Sequence, residues 1–280
     1  MDDRVVPLAQ AADEVAFGGK AVSLGAAIRA GLPVPPGAAV DTTTVNRVAE
    51  GNQAAIDAVL ASSHIPDARL AIRSSAVGED SADASFAGQH VTKLNVRKPT
   101  VHEAVRLVWE SARTESALAY RARKGLSEQP AIAAVVQVLV EPVAAGVLFT
   151  RNPMTGANER MIEASWGLGE AVVSGIIVPD RVRMSASGSV LEFIAGDKDV
   201  KIWYGEDDGT IEVPVDPSLR QLACIGDNHL AALHDLAERC VRVWGPALDI
   251  EWALDGDDTI YLLQCRPITT LGGPDKVRPT

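Results

Sequence analysis

Aromatic residues are scarce in this chain, at 4% of 280 positions, so Ala, Val, Leu and Ile have to fill its core. Cysteine is limited to Cys224, Cys240 and Cys265, which are isolated and odd in number. No CxxC or Cys/His spacing offers a zinc site, so reduced structural thiols and a cytoplasmic location are expected. No run approaches the roughly 18 consecutive apolar residues that a bilayer-spanning helix needs. The opening Met-Asp-Asp-Arg has neither a basic region nor an apolar stretch, so a secretory signal is not expected. Positive charge is in deficit: 26 Lys and Arg against 37 Asp and Glu give a net charge of −11. With no basic stripe and no cluster of stacking aromatics, a nucleic-acid partner is not expected. His64, His90, His102, His229 and His234 all lie outside Gly-rich or Ser-His contexts, and no GxSxG occurs. A hydrolase elbow is therefore not supported.

What is present is an interleaving of helical and strand patterns. Lys20 to Ala30, Thr44 to Ser62, Thr100 to Lys124 and Pro217 to Val243 have helical spacing. Strands are predicted at Leu70 to Arg73, Leu94 to Val96, Ala133 to Val140, Gly146 to Thr150, Met161 to Ser165, Arg181 to Met184 and Val190 to Ile194. Two further strands make a C-terminal hairpin over Asp249 to Arg266. The mixture predicts an α/β or α+β protein with two lobes.

The C-terminal hairpin carries the most chemistry. Side chains alternate along a strand, so Asp249 and Glu251 share one face, as do Gln264 and Arg266 on the next strand. A four-residue turn at Gly256 to Thr259 would set Glu251 opposite Gln264 and Asp249 opposite Arg266. Ile250, Trp252, Leu263 and Cys265 would then point into a core. Two carboxylates, an amide oxygen and a guanidinium on one patch suit Mg²⁺ carrying a polyphosphate. A surface ladder of opposite charges would give the same pattern.

Three further segments could meet a phosphate or a base. Gly18-Gly19-Lys20 opens the first helix, where close backbone approach and helix N–H groups attract anions. The P-loop pattern GxxxxGK[ST] fails, since Ala21 holds the Ser/Thr position. An N-cap turn with a solvated lysine fits the same residues. Arg73-Ser74-Ser75 ends a strand, and its guanidinium and hydroxyls make a reasonable phosphate clamp. The Ser/Gly/acid-rich loop after it, to Gly88, reads as a lid or as an ordinary acidic loop. Gln137-Val138-Leu139-Val140-Glu141 leaves an apolar strand and could offer backbone groups to an adenine edge, or be buried strand alone.

Five stretches occur in one order: Gly18 to Gly37, Ala71 to His90, Gly146 to Gly156, Gly167 to Asp180 and Asp249 to Thr269. Together they resemble the nucleotide-binding domain of the phosphoenolpyruvate synthase and pyruvate phosphate dikinase family, which includes rifampin phosphotransferase. The resemblance implies an ATP-grasp-like fold with ATP between two lobes, at 1–139 and 140–270, and a tail or linker at 271–280. It implies that Lys20 and Arg73 hold phosphates under the Ser74 to Gly88 loop, with Ser74, Ser75 and Gly88 in the nucleotide site. Gln137 to Glu141 would flank the adenine. Glu251 and Gln264 would bind Mg²⁺, with Asp249 beside them and Arg266 on phosphate oxygens. The implied activity is a kinase-type phosphotransfer: the β-phosphoryl of ATP passes to a histidine on a swivelling domain, AMP leaves, and the γ-phosphate goes to water or inorganic phosphate. No Gly-Gly-x-x-Ser-His-like motif occurs in this sequence. A histidine-carrying partner protein or further domains are therefore expected. The alternatives are a kinase acting directly on a small molecule and an ATP-sensing module without turnover.

Overall fold

The computed structural model of the chain describes residues 3–77, 91–123 and 130–268. These fall into two compact units. The first takes in the described residues up to Arg29, those from Pro35 to Leu139, and Tyr204–Thr210. The second takes in Ala30–Val34, Val140–Trp203 and the described residues from Ile211 onward.

In the first unit the elements are β1 (Val5–Pro7), α1 (Glu14–Arg29), β2 (Gly37–Val40), α2 (Thr42–Ala49), α3 (Gln53–Ala61) and β3 (Leu70–Ala76). They continue with β4 (Thr92–Val96), α4 (Val101–Ser111), α5 (Glu115–Arg123) and β5 (Ile132–Val138). The five strands form one sheet in the order β1-β2-β5-β3-β4, antiparallel throughout. Alternation sorts its side chains. Ala38, Val40, Leu70, Ile72, Ala134 and Val136 join α2, α3 and α4 in one apolar core. Ala71, Arg73, Ser75 and Gln137 therefore take the opposite face, to which α1 is hydrogen-bonded through Ser75.

Two single helices expected from the sequence are each split. Thr44 to Ser62 becomes α2 and α3, because Gly51 turns the chain at φ +76° and Asn52 restarts it as an N-cap accepting from the Ala55 N–H at 3.2 Å. Thr100 to Lys124 becomes α4 and α5. Here the Arg113 guanidinium stacks on the Trp109 ring at 3.6 Å and donates to the Trp109 and Pro130 carbonyls. Apolar spacing continues across both breaks, so periodicity alone does not reveal them.

The second unit contains β6 (Pro142–Phe149), β7 (Glu159–Trp166), α6 (Glu170–Val173), β8 (Asp180–Ser185) and β9 (Val190–Ile194). After β10 (Val200–Tyr204) and β11 (Thr210–Pro214) come α7 (Asp227–Trp244), β12 (Leu248–Asp255) and β13 (Ile260–Pro267). Six of the strands form an antiparallel sheet in the order β13-β12-β6-β7-β8-β9. Helix α7 begins ten residues later than the predicted start at Pro217, at a Gly226 N-cap whose N–H donates to His229 Nδ1 at 3.1 Å. A buried Lys198–Asp180 ion pair holds the segment after β9. The same carboxylate accepts from the N–H groups of Gly196 and Cys224, each at 2.8 Å. All three cysteines are buried and none forms a disulfide. Among the described residues, no helix is long and apolar enough to cross a membrane.

Candidate functional site

In the first unit, Gly18 is the pivot. It has φ +73° and ψ 166°, a region open in practice only to glycine, and it interrupts α1 just before Gly19 and Lys20. A Cβ on Gly18 would lie 2.1 Å from the Ser75 carbonyl oxygen. The backbones of the GGK turn and of the end of β3 thus touch as closely as glycine permits. The Ser75 hydroxyl fastens them: it donates to the Phe17 carbonyl at 2.7 Å and accepts from the Ala21 N–H at 3.0 Å. Ala21 is the third residue after Gly18, so Ser75 fills from another strand the part that an N-cap side chain plays locally.

Lys20 and Arg73 are both buried, at 5% and 8% exposure. Desolvating two cations in one unit is costly unless anions or strong acceptors compensate. Arg73 shares its sheet face with Ser75, two residues on, while Ser74 takes the other face and is buried as well. The hydroxyl of Ser75 is thus engaged within the protein. Gly88 and the lid loop beyond Val77 lie outside the described residues.

The Gln137 to Glu141 segment is more committed than its sequence suggests. Gln137 is buried in β5, between β2 and β3, and its Nε2 donates to the Pro35 carbonyl at 3.1 Å. The N–H of Val138 donates to Pro36 and that of Leu139 to Arg69, both at 2.9 Å. Those two amides are therefore not offered to a base edge. Val140 is half-buried and Glu141 exposed.

In the second unit the β12–β13 hairpin pairs Glu251 with Gln264 and Asp249 with Arg266. The route to that register differs from the simple turn. Between the last paired residues, Leu254 and Ile260, lie five residues, Asp255 to Thr259, closed by a bond from the Asp255 N–H to the Thr259 carbonyl at 3.0 Å. Its Asp255 carboxylate accepts from the N–H groups of Asp257 and Thr259 at 3.0 and 2.8 Å. Leu254 therefore pairs with Ile260 and Trp252 with Leu262. A bulge at Leu263 then takes up one residue and restores the Glu251–Gln264 register. One expectation is corrected as a result. Leu262, fully buried, faces inward with Trp252, and Leu263 does not.

Arg266 grips one oxygen of its partner: Nε and Nη2 donate to Asp249 Oδ2 at 2.9 and 2.7 Å. Burial pushes the Asp249 carboxyl above the usual carboxylate range, the Arg266 charge opposes this, and the nearby Glu251 charge adds to it. Directly opposed residues in an antiparallel sheet share a face, so Gln264, Glu251, Val147, Glu163 and Arg181 line up across five strands. Glu163, which alternation alone did not connect with the hairpin, accepts from Arg181 Nε at 3.1 Å. Among the described residues, no three His, Cys, Asp or Glu side chains group as a metal cage. Two carboxylates and an amide oxygen nonetheless fit Mg²⁺, a hard ion that keeps waters and phosphate oxygens and needs one or two protein carboxylates.

Comparison with known proteins gives these groups a context. The chain belongs to the pyruvate phosphate dikinase AMP/ATP-binding domain family, whose model it matches over residues 55–279. It is 37% identical to the probable phosphoenolpyruvate synthase of Methanothermobacter thermautotrophicus, over 91% of this chain and 44% of that protein. It is also 37% identical to the rifampicin phosphotransferase of Bacillus cereus, over 75% of this chain and 24% of that protein. The chain thus spans less than half the length of these relatives. A solved D-alanyl-alanine synthetase A from Vibrio cholerae is similar at 14% identity over 96% of this chain and 60% of that one. Its TM-score is 0.38, and a likeness at that level carries no functional weight.

Proposed function

We propose that the chain is the ATP- and Mg²⁺-binding module, of ATP-grasp type, of a phosphotransferase. In this reading Lys20 and Arg73 hold the phosphates of ATP, and Glu251 and Gln264 hold Mg²⁺. Arg266 holds Asp249 by one carboxylate oxygen beside them. The β-phosphoryl is passed to a histidine on a further domain or partner protein, AMP leaves, and the γ-phosphate goes to water or inorganic phosphate. The chain's part in such a reaction is to position phosphates and neutralise their charge.

The observation that carries the reading is the hairpin register. Glu251 opposite Gln264 gathers hard oxygen donors beside a guanidinium-held carboxylate. Family membership and the buried cations Lys20 and Arg73 support it.

The test pairs product analysis with two substitutions. Incubation of β-labelled ATP with the chain and a histidine-domain protein should move label to that protein and yield AMP. Glu251→Gln should raise the Mg²⁺ concentration needed for transfer roughly tenfold or more, the scale of one lost charged ligand contact. Its melting temperature should hold, because Glu251 lies outside the apolar core. ADP formed with a small acceptor and no partner would replace this mechanism by direct kinase chemistry. Unchanged metal dependence in Glu251→Gln would remove the hairpin from the site.

A further inference from the structure

We infer that Ser75 is a positioning residue, the strut that sets Lys20 against Arg73, and not itself a nucleotide ligand. The inference rests on the proposed phosphate role of those two cations. Three observations lead to it. Ser75 is fully buried, and its hydroxyl is engaged on both sides, donating to Phe17 and accepting from Ala21 across 58 and 54 residues of sequence. Gly18 closes on the same residue so tightly that no side chain fits between them. Ser75 also shares its strand face with Arg73, so one rigid segment of β3 carries the guanidinium and fixes the start of the lysine helix.

A hydroxyl is suited to this task. It donates to the last carbonyl before the turn and accepts from an N–H just inside the helix, so a single atom holds both sides of the Gly18 break. Alanine would fill most of the volume but make neither bond, and both groups it would abandon lie in buried residues. The break could then relax, and Lys20, two residues beyond Gly18, would shift. Binding groups need placement within about half an ångström, so a small drift should register as weaker phosphate binding.

The readout is the ratio of ATP affinity to AMP affinity, measured by titration calorimetry with Mg²⁺ present. Loss of folded protein would lower both affinities together and leave the ratio alone. A misplaced Lys20 lowers the ratio. Ser75→Ala and the near-isosteric Ser75→Cys should both reduce it roughly tenfold, the effect of weakening one charge-assisted phosphate contact. Lys20→Ala serves as the reference. If Lys20→Ala lowers the ratio and both Ser75 variants keep it, the strut role is overturned while the phosphate reading stands. If Lys20→Ala itself leaves the ratio unchanged, the phosphate reading falls first. Should both Ser75 variants fail to fold, the hydroxyl serves the fold alone and the positioning role is likewise overturned.

Discussion

Replacing Gly18 with alanine tests the local geometry most directly. Two separate costs add at this position. The backbone sits at φ +73° and ψ 166°, where an L-residue pays about 1–3 kcal/mol. The new Cβ would also lie 2.1 Å from the Ser75 carbonyl oxygen and 2.5 Å from both its carbonyl carbon and its hydroxyl oxygen. Two of those atoms are backbone in the middle of a five-stranded sheet and cannot swing aside. Relieving such a contact costs about 1–3 kcal/mol more, as in overpacked cores. A total of about 2–6 kcal/mol is a large fraction of the 5–15 kcal/mol typical of a folded domain. Gly51 is the control: it has φ +76°, yet a Cβ there meets nothing within 4 Å. Gly51→Ala should therefore cost only about 1 kcal/mol. Urea unfolding followed by circular dichroism, with both variants beside the wild type, separates contact from conformation. A Gly18→Ala protein no less stable than Gly51→Ala would refute the close approach of the lysine turn to β3.

Other outcomes follow from the same structure. Lys198→Ala should destabilise the second unit by about 3–5 kcal/mol, because it leaves the Asp180 carboxylate buried without its cation; a denaturant midpoint within error of wild type would contradict the buried pair. Burial, and then the Arg160 charge, hold the His234 imidazole below its ordinary value of 6.5. The unfolded chain therefore binds this proton more readily, and stability should decline as pH falls below about 6.5. His234→Gln should flatten that part of the pH profile in thermal melts. Arg73→Ala should weaken ATP binding more than AMP binding in calorimetry, and equal losses for both nucleotides would argue against a phosphate role.

The period-two pattern was legible in the C-terminal hairpin, whereas the paired strands β10 and β11, just as close in sequence, were not expected. The alternation of Asp249, Glu251, Gln264 and Arg266 was enough to place them opposite one another, since a hairpin leaves few registers that keep Trp252 and Ile250 buried. The turn length was not legible. An added residue at Asp255 to Thr259 and a bulge at Leu263 compensate, and a local pattern reads the same with both or neither. Helix breaks at Gly51 and around Arg113 were missed because apolar spacing runs through them. In the second case the next helix restarts at Thr114, whose hydroxyl accepts from the Ala117 N–H at 3.3 Å, a capping contact with no periodic signature.

The sequence by itself determined the alternation of apolar and polar faces, the hairpin that gathers carboxylates and an amide, and the family to which the chain belongs. These depend on neighbours within a few residues or on ordered motifs along the chain. Tertiary structure alone decided that Ser75 holds the Gly18 turn, that Gln137 is tied to Pro35, and that Glu163 lines up with Glu251 across β6. Each of those pairings joins segments distant in sequence, brought together by sheet order or by a helix packing on the sheet, and both are fixed by which surfaces can be buried together, a property no single stretch of sequence carries.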